Sequence, residues 1–236
     1  MLGRNYNRYP MKLLLFDLDG TLINTGGAGT RALDRAFRAL YGCPCAFDGI
    51  PLAGKTDRFI IRQVFENTFG RLASDLDIDE ASDKYLSYLG DEVSRSPGYC
   101  VLDGAREIVQ ALDGRSDVVL ALGTGNLEKG ARIKMEPSGL NRYFRIGGFG
   151  SDAEDRREVL RTAVQRGERF ANRQFLPKEV IVIGDTVLDV WAGKALGAVT
   201  VAVGRGHDNG EVLRACKPDV YLESLSEIEA IFRILG

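Results

Sequence analysis

Residues 12–22 read KLLLFDLDGTL. Within this stretch, an apolar run is followed by two acids and a glycine. This pattern predicts a buried strand that stops at a turn and delivers Asp17 and Asp19 to its carboxyl end. In open α/β sheets that end is where ligands bind. Two carboxylates this close repel each other unless a cation or a shared proton offsets the repulsion. The stretch therefore predicts an acidic ligand site, with an ordinary solvated turn as the alternative.

The rest of the chain alternates between strand-like and helix-like patterns. Strand patterns occur at residues 12–16, 118–122, 145–147, 180–183, 199–203 and 220–222, and helical patterns at 105–112, 127–135, 154–170 and 187–196. Continuous Val- and Ile-rich runs suit parallel strands that are covered on both faces. The alternation predicts an α/β core with a doubly wound, Rossmann-like parallel sheet.

The segment between the first two of these core strands breaks the alternation. It contains no convincing strand, and its three helical patterns start near Thr30, Thr56 and Asp79. We interpret it as an all-helical cap domain with glycine-containing linkers at residues 26–29 and 94–98. The predicted division is a tail at residues 1–10 that is disordered, a core domain at 11–22 and 96–236, and the cap at 23–95.

The charge balance and the absence of long apolar runs narrow the function. The 31 basic and 33 acidic residues nearly cancel, so nothing favours nucleic acid as a partner. No apolar run approaches the ~20 residues of a membrane helix, and the amino terminus lacks a signal-peptide pattern. We therefore expect a cytoplasmic protein with no membrane partner.

The cysteines and the single histidine exclude two further classes of site. Cys43 and Cys45 are two of four cysteines, and His207 is the only histidine. Zinc usually takes four cysteine or histidine ligands, so this composition argues against a zinc site. We expect structural or merely buried thiols. No serine lies in a G-x-S-x-G elbow, which argues against a Ser-His-Asp hydrolase, and His207 is expected in a surface loop.

Two further strand ends carry polar groups. The sequence GTGN at residues 123–126 offers the hydroxyl of Thr124 and backbone amides at a helix start, which is either a phosphate cradle or a helix cap. The sequence GDTVLD at residues 184–189 puts Asp185 at a strand end and Asp189 one helical turn later. Combined with the two acids of the first strand, these carboxylates favour a hard cation, most naturally Mg²⁺.

One predicted helix carries a positive charge in its first turn, where such a charge is unfavourable. The sequence SDAEDRRE at residues 151–158 opens a helix with an arginine in its first turn, near the positive end of the helix dipole. A bound anion reached by Arg156 would explain this placement. A solvated, charged helix start is the alternative.

With these four segments in this order, the sequence resembles the haloacid dehalogenase-like hydrolase superfamily, and most closely its phosphoglycolate-phosphatase-like branch with a helical cap. The resemblance spans Asp17 to Asp189 and implies that Asp17 is the nucleophile and that Asp19 is the general acid and base. It also implies that Thr124 binds phosphate, and we expect Gly125 and Asn126 beside it to contact the substrate.

The resemblance also implies a metal and a strand order. Mg²⁺ would be held by Asp17, the backbone carbonyl of Asp19, and Asp185, with Asp189 in support. The first strand would be central, with the 118 and 145 strands on one side and the 180 and 199 strands on the other.

The sequence departs from the family pattern at the third motif. That motif is usually a lysine, often followed by proline, and no such lysine is present. Lys134 follows Thr124 too closely and lies in the preceding helical pattern. Arg156 is the predicted substitute, with Arg157 as the second choice, and either one offers a planar fork in place of a point charge.

The activity implied is Mg²⁺-dependent hydrolysis of a phosphomonoester of a small phosphorylated metabolite, through an aspartyl phosphate. The +2 aspartate argues for phosphoester chemistry, because family dehalogenases lack this acid. A phosphosugar mutase needs the same residues and stays open at this point, as does a non-catalytic binding protein that keeps the fold.

A competing motif suggests a nucleotide-binding protein. Residues 49–56 read GIPLAGKT and satisfy the Walker A pattern. A P-loop must follow a buried strand, however, and residues 41–48 do not resemble one. We interpret this segment as a cap loop, from which Lys55 or Arg58 either faces the substrate or is a solvated charge on the cap.

Overall fold

The computed structural model describes residues 11–204 and 207–236. The expected tail at residues 1–10 lies outside this range. The strands are β1 (Lys12–Phe16), β2 (Ile23–Thr25), β3 (Tyr99–Val101), β4 (Val118–Gly123), β5 (Ile146–Gly148), β6 (Val180–Gly184), β7 (Val199–Val203) and β8 (Val220–Leu222). The α-helices are α1 (Ala28–Tyr41), α2 (Asp57–Phe69), α3 (Asp75–Ser94), α4 (Ala105–Leu112), α5 (Glu128–Met135), α6 (Arg156–Ala171), α7 (Val187–Ala195), α8 (His207–Ala215) and α9 (Ile228–Leu235).

Six of the strands form one parallel sheet in the order β5-β4-β1-β6-β7-β8. The predicted fold class is confirmed, and so is the order predicted for five of these strands, β5-β4-β1-β6-β7. Leu15 lies beside Ala121 on one side and Val182 on the other. Leu14 and Phe16 pack into one hydrophobic cluster and Leu15 into another on the opposite face. A strand buried on both faces has no polar side, which is why residues 13–16 form a continuous apolar run.

Helices α1, α2 and α3 with their connecting loops, residues 28–94, form what we call the helical block. Its own core includes the edge-packed rings of Phe37, Tyr41 and Phe65. Helix α2 begins after its N-cap Thr56, near the predicted position. The predicted starts of the other two helices are wrong: α1 begins two residues before Thr30, and α3 begins four residues before Asp79.

A two-stranded antiparallel ribbon, β2 with β3, joins the sheet to the helical block. The prediction that the cap segment contains no strand is therefore wrong, because β2 lies inside it. Beyond the ribbon the two connections touch: Ser96 Oγ donates to the carbonyl oxygen of Thr25 at 2.7 Å, and a Cβ on Gly26 would lie 2.7 Å from the Cα of Gly98. Both crossings of the chain thus lie side by side. The division into a core domain and a cap domain stays a proposal.

Other boundaries shift by one or two residues. Strand β4 includes Gly123, and β5 begins one residue later than predicted. The backbone of His207 begins α8, so the expectation of a loop there is wrong, while residues 205 and 206 lie outside the described ranges. Among the described helices, none combines the length and the apolar character that crossing a membrane requires.

Candidate active site

Three buried carboxylates meet at the carboxyl ends of β1 and β6. Asp17 follows β1, Asp185 follows β6, and Asp189 lies in the first turn of α7. One carboxylate oxygen from each lies within 4.8 Å of the others. The backbone amide of Asp17 donates to the carbonyl of Ile183 at 2.9 Å, which holds the two strand ends together. At Gly184 a Cβ would lie 2.3 Å from the Asp189 carboxyl carbon, so only glycine admits this approach.

Arg156 bridges two of these carboxylates. It is the first residue of α6, after the N-cap Asp155, and its Nη2 lies 2.7 Å from Asp17 Oδ1 and 2.6 Å from Asp189 Oδ1. Burial lowers the pKa of Arg156, but the charges of Asp189 and Asp17 outweigh this and raise it above its ordinary value. Arg157 instead pairs with Asp155, and 59% of its side chain is exposed. Of the two arginines proposed from the sequence, the structure brings Arg156 to the site.

Both oxygens of Asp189 are engaged. Oδ1 accepts from Arg156, and Oδ2 accepts from the backbone and the hydroxyl of Thr186 in a capping box at the start of α7. Asp189 therefore holds the arginine and the loop in place. A supporting role for Asp189 at a metal fits this arrangement better than direct ligation.

Asp19 lies apart from the three-carboxylate cluster. Its side chain is 38% exposed, and its Oδ2 accepts from Asn126 Nδ2 at 2.7 Å and from Lys134 Nζ at 2.8 Å. The structure thus turns the Asp19 side chain toward β4 and α5. This is compatible with the expectation that only its backbone carbonyl approaches a metal.

The loop that follows β4 contacts the helical block. Thr124 Oγ1 accepts from Asn126 Nδ2 at 2.9 Å, and both residues line the cavity described below. A Cβ on Gly125 would lie 2.4 Å from the carbonyl oxygen of Lys55, so a larger residue would separate the helical block from this loop. The backbone amide of Asp57 donates to the Gly125 carbonyl at 2.8 Å across the same contact.

Lys134 is the residue that sequence reasoning missed. Lys134 lies in the helix before the expected third motif, so the family spacing does not mark it, yet its side chain is 7% exposed and reaches Asp19. The available signal was its position on α5, where Ala131 and Met135 mark the buried face. Burial lowers the pKa of Lys134, but nearby groups, with Asp19 first among them, outweigh this and raise it above its ordinary value.

A cavity of about 270 Å³ is lined by residues of these strand ends and of the helical block. Lys55 lines it, with Nζ 4.7 Å from the ring centroid of Phe59. Arg58 does not line the cavity and pairs with Asp79 at 2.6 Å, so the structure does not bring Arg58 to the site. The Walker-like segment follows α1 with no strand between them, which removes the context that a P-loop needs.

The helical block contacts the sheet side of the cavity through α2. The carboxylate of Asp57 accepts from the backbone amide of Leu127 at 2.9 Å, at the start of α5. Arg62 pairs with Glu154 at 2.8 Å, and Thr56 Oγ1 donates to the backbone carbonyl of Glu154 at 3.3 Å. These contacts join the helical block to the segments that follow β4 and β5.

A sequence profile of the haloacid dehalogenase-like hydrolases matches residues 14–203. The chain belongs to this family. Among curated members, the phosphoglycolate phosphatase of Vibrio parahaemolyticus is 26% identical over 226 residues, covering 92% of this chain and 94% of that protein. The phosphoglycolate phosphatase of Agrobacterium fabrum is 25% identical over 222 residues, covering 92% and 90%.

Solved structures of similar proteins share the fold of this hydrolase. A predicted phosphoglycolate phosphatase from Haemophilus somnus has a TM-score of 0.72 at 16% identity, covering 96% of this chain and 100% of that one. A hydrolase from Pseudomonas syringae has a TM-score of 0.69 at 20% identity, covering 94% and 98%. A candidate β-phosphoglucomutase from Bacteroides vulgatus has a TM-score of 0.65 at 21% identity, covering 98% and 90%. At these identities the similarity concerns the fold.

The three-carboxylate cluster of this hydrolase suits a divalent cation. All its donors are carboxylate oxygens, which hard cations prefer. Burial raises the pKa of Asp17 to about 6, even though Arg156 acts in the opposite direction. Ionised Asp17 is therefore less stable in the folded protein than in water, and a cation beside it would stabilise the ionised form.

The contribution of Asp17 to the stability of the metal-free hydrolase should fall as pH rises toward neutrality. A carboxyl whose pKa is raised on folding contributes stability that is complete below its unfolded pKa, ~3.9, and is lost as pH passes its folded pKa. With the pKa of Asp17 near 6, we expect its contribution to the free energy of unfolding to decrease between about pH 4 and pH 6, by at most ~3 kcal/mol. Urea denaturation in chelator, compared with Asp17→Asn, measures this difference. Equal pH slopes for the two proteins would contradict it.

Proposed function

We propose that this protein is a Mg²⁺-dependent phosphomonoester hydrolase that acts on a small phosphorylated metabolite through an aspartyl phosphate on Asp17. The observation that carries the proposal is the position of Asp17. It lies at the carboxyl end of the central strand, is held by Arg156, and lines a cavity together with Thr124 and Asn126. The curated phosphoglycolate phosphatases support it further, because they match over nine-tenths of this chain.

In the first step an oxygen of Asp17 attacks phosphorus, and the bond from phosphorus to the ester oxygen breaks. Asp19 gives its proton to the departing alkoxide, so the alcohol leaves neutral. Thr124, Arg156 and backbone amides at the end of β4 bind the phosphoryl oxygens, whose charge redistributes in the transition state.

In the second step water attacks the phosphorus of the aspartyl phosphate. Asp19, now ionised, takes a proton from this water, and the bond between phosphorus and the Asp17 oxygen breaks. Phosphate leaves, and Asp17 returns as a carboxylate. Arg156 keeps Asp17 from moving between the two steps, because Asp189 holds the same guanidinium group in place.

The residues that would hold Mg²⁺ are Asp17, Asp185 and the backbone carbonyl of Asp19, with Asp189 in support. A bound Mg²⁺ would screen the negative charge of the phosphoryl group from that of Asp17. Thr21 keeps Asp185 in place, because its Oγ1 donates to Asp185 Oδ1 at 3.3 Å.

The size of the cavity argues for a small substrate. Its volume of about 270 Å³ is just below the ~300–1,000 Å³ that is usual for small-molecule sites. A phosphosugar mutase would use the same residues, but it transfers the phosphoryl group back to a sugar rather than to water.

A substrate screen tests the proposal. Purified protein with Mg²⁺ is assayed for phosphate release from phosphoglycolate, sugar phosphates and nucleoside monophosphates. We expect steady release from at least one small monoester. Isomerisation of a sugar phosphate without phosphate release would show a mutase, and no reaction with any substrate would favour a binding protein.

Activity should require Mg²⁺ and be inhibited by Ca²⁺. Mg²⁺ demands a compact octahedral shell, whereas Ca²⁺ takes 6–8 oxygen ligands in a looser one and would misplace Asp17 relative to the phosphoryl group. Phosphate release is measured after chelation, after addition of Mg²⁺, and with Ca²⁺ in competition. Full activity in excess chelator would remove the metal from the mechanism.

A further inference from the structure

A second buried cation lies at the site, beside Asp19 rather than Asp17. Lys134 Nζ lies 2.8 Å from Asp19 Oδ2 and 2.5 Å from Asn126 Oδ1. Arg156 already provides the cation that restrains Asp17 and binds phosphoryl oxygens in the proposed reaction. Lys134 therefore has a position in the site and no role in the steps given above.

The hydrogen bonds to Asp19 converge on one of its two oxygens. Asn126 Nδ2 and Lys134 Nζ both donate to Oδ2, at 2.7 and 2.8 Å. No side-chain hydrogen bond within residues 11–204 ends on Oδ1 of Asp19. Because Lys134 also donates to the Asn126 side chain, the three side chains form a closed ring. Two donors on one oxygen fix the plane of the carboxyl group and leave the other oxygen for proton transfer.

Lys134 is itself held from several sides. Its backbone carbonyl accepts from Tyr99 Oη at 2.9 Å. A Cβ on Gly29 of α1 would lie 3.6 Å from both Lys134 Nζ and Tyr85 Oη, so the helical block closes over the ammonium group. A lysine usually loses considerable rotamer freedom when it is confined in this way. Here that confinement gives a fixed donor for Asp19.

We propose that Lys134 is a positioning residue for proton transfer: with Asn126 it holds Oδ2 of Asp19, so that Oδ1 exchanges the proton. This inference rests on the proposed hydrolase function. In the first step the proton on Oδ1 passes to the leaving alkoxide, and in the second step Oδ1 takes a proton from the attacking water. Lys134 touches neither the substrate nor the reacting atoms in this role.

The test compares two leaving groups in Lys134→Met. An alkyl phosphate needs protonation of its alkoxide, whereas the p-nitrophenolate of p-nitrophenyl phosphate leaves without it. We expect turnover of the alkyl phosphate to fall about 10²-fold, in the range of general-acid effects. The first-turnover burst of p-nitrophenolate should change by less than about threefold. Lys129→Met is the matched control, because Lys129 is exposed on the same helix, and both rates should stay at the wild-type level.

Equal losses with the two substrates, or no loss with either, would overturn the proposal. If Lys134→Met does not fold, the same ratio is measured in Lys134→Met/Asp57→Asn, which also removes a buried carboxylate near the lysine. A crystal structure of the variant gives a second readout: we expect the Asp19 carboxyl group to rotate, and an unchanged orientation would contradict the role. A wild-type protein without phosphatase activity would refute the proposed function, while the crystal structure would still decide the effect on Asp19.

Discussion

Asp17→Asn should abolish turnover while leaving the protein folded. The amide is a very poor nucleophile toward phosphorus, so we expect a loss of about 10⁴-fold or more, as when other covalent nucleophiles are removed. Stability at neutral pH should be unchanged or higher, because the substitution removes one buried negative charge. Arg156 would keep Asp189 as its partner.

The role of Asp17 can be measured by trapping as well as by activity. Beryllofluoride should bind at Asp17 in a crystal structure of the wild-type protein, and a labelled substrate should modify Asp17, as read by mass spectrometry of peptides. Asp113→Asn is the matched control: it makes the same chemical change at the exposed end of α4, and should alter neither activity nor labelling. Labelling of another residue would refute the assignment of the nucleophile.

Arg156→Ala should cost both catalysis and stability. By analogy with the loss of an oxyanion donor, we expect a loss of about 2–4 kcal/mol in transition-state stabilisation. Removing one partner of a buried ion pair costs ~3–5 kcal/mol of stability, because it leaves the carboxylates of Asp17 and Asp189 without their shared cation. Arg156→Lys should retain part of the activity, since the charge remains while the planar fork, whose Nε and Nη2 both donate to Asp189, is lost.

Arg157→Ala is the control, since this neighbouring arginine is exposed and pairs only with Asp155 among the ion pairs of the described residues. We expect it to change stability by less than ~1 kcal/mol. Activity is compared well below the unfolding temperature of each variant, and stability is measured separately by urea denaturation. Normal turnover in folded Arg156→Ala would show that another group restrains Asp17 and binds the phosphoryl oxygens.

The fold could be predicted because its decisive strands are buried on both faces. Residues 12–16 and 180–183 are apolar at every position but the first of β1, and this continuous pattern separates them from the surrounding helices. The polar residues after them had to lie at one edge of the sheet, which is why Asp17, Asp185 and Asp189 could be grouped from sequence. The carboxylate of Asp19, which the sequence grouped with them, instead binds Asn126 and Lys134. Arg156 could be singled out because a positive charge in the first turn of a helix is otherwise unfavourable.

Local patterns were insufficient where contacts between distant segments decide the structure. Each strand of the ribbon has three residues, too few for a periodic signal, and neither is stable without the other. Lys134 was set aside because its distance along the chain from Thr124 was compared with a family spacing. Its actual partner, Asp19, is 115 residues away and meets it only after β1 and β4 pair.

The ribbon also makes the helical block a replaceable part. Thr25 and Tyr99 are paired across it, so the chain leaves the sheet and returns to it at one place. A two-residue Asn-Gly turn could join these paired ends as a hairpin and remove the block without altering β1 or β6. Under the proposed function, descendants of such a chain can therefore exchange the part that would cover the substrate and inherit unchanged the carboxylates that would act on phosphate.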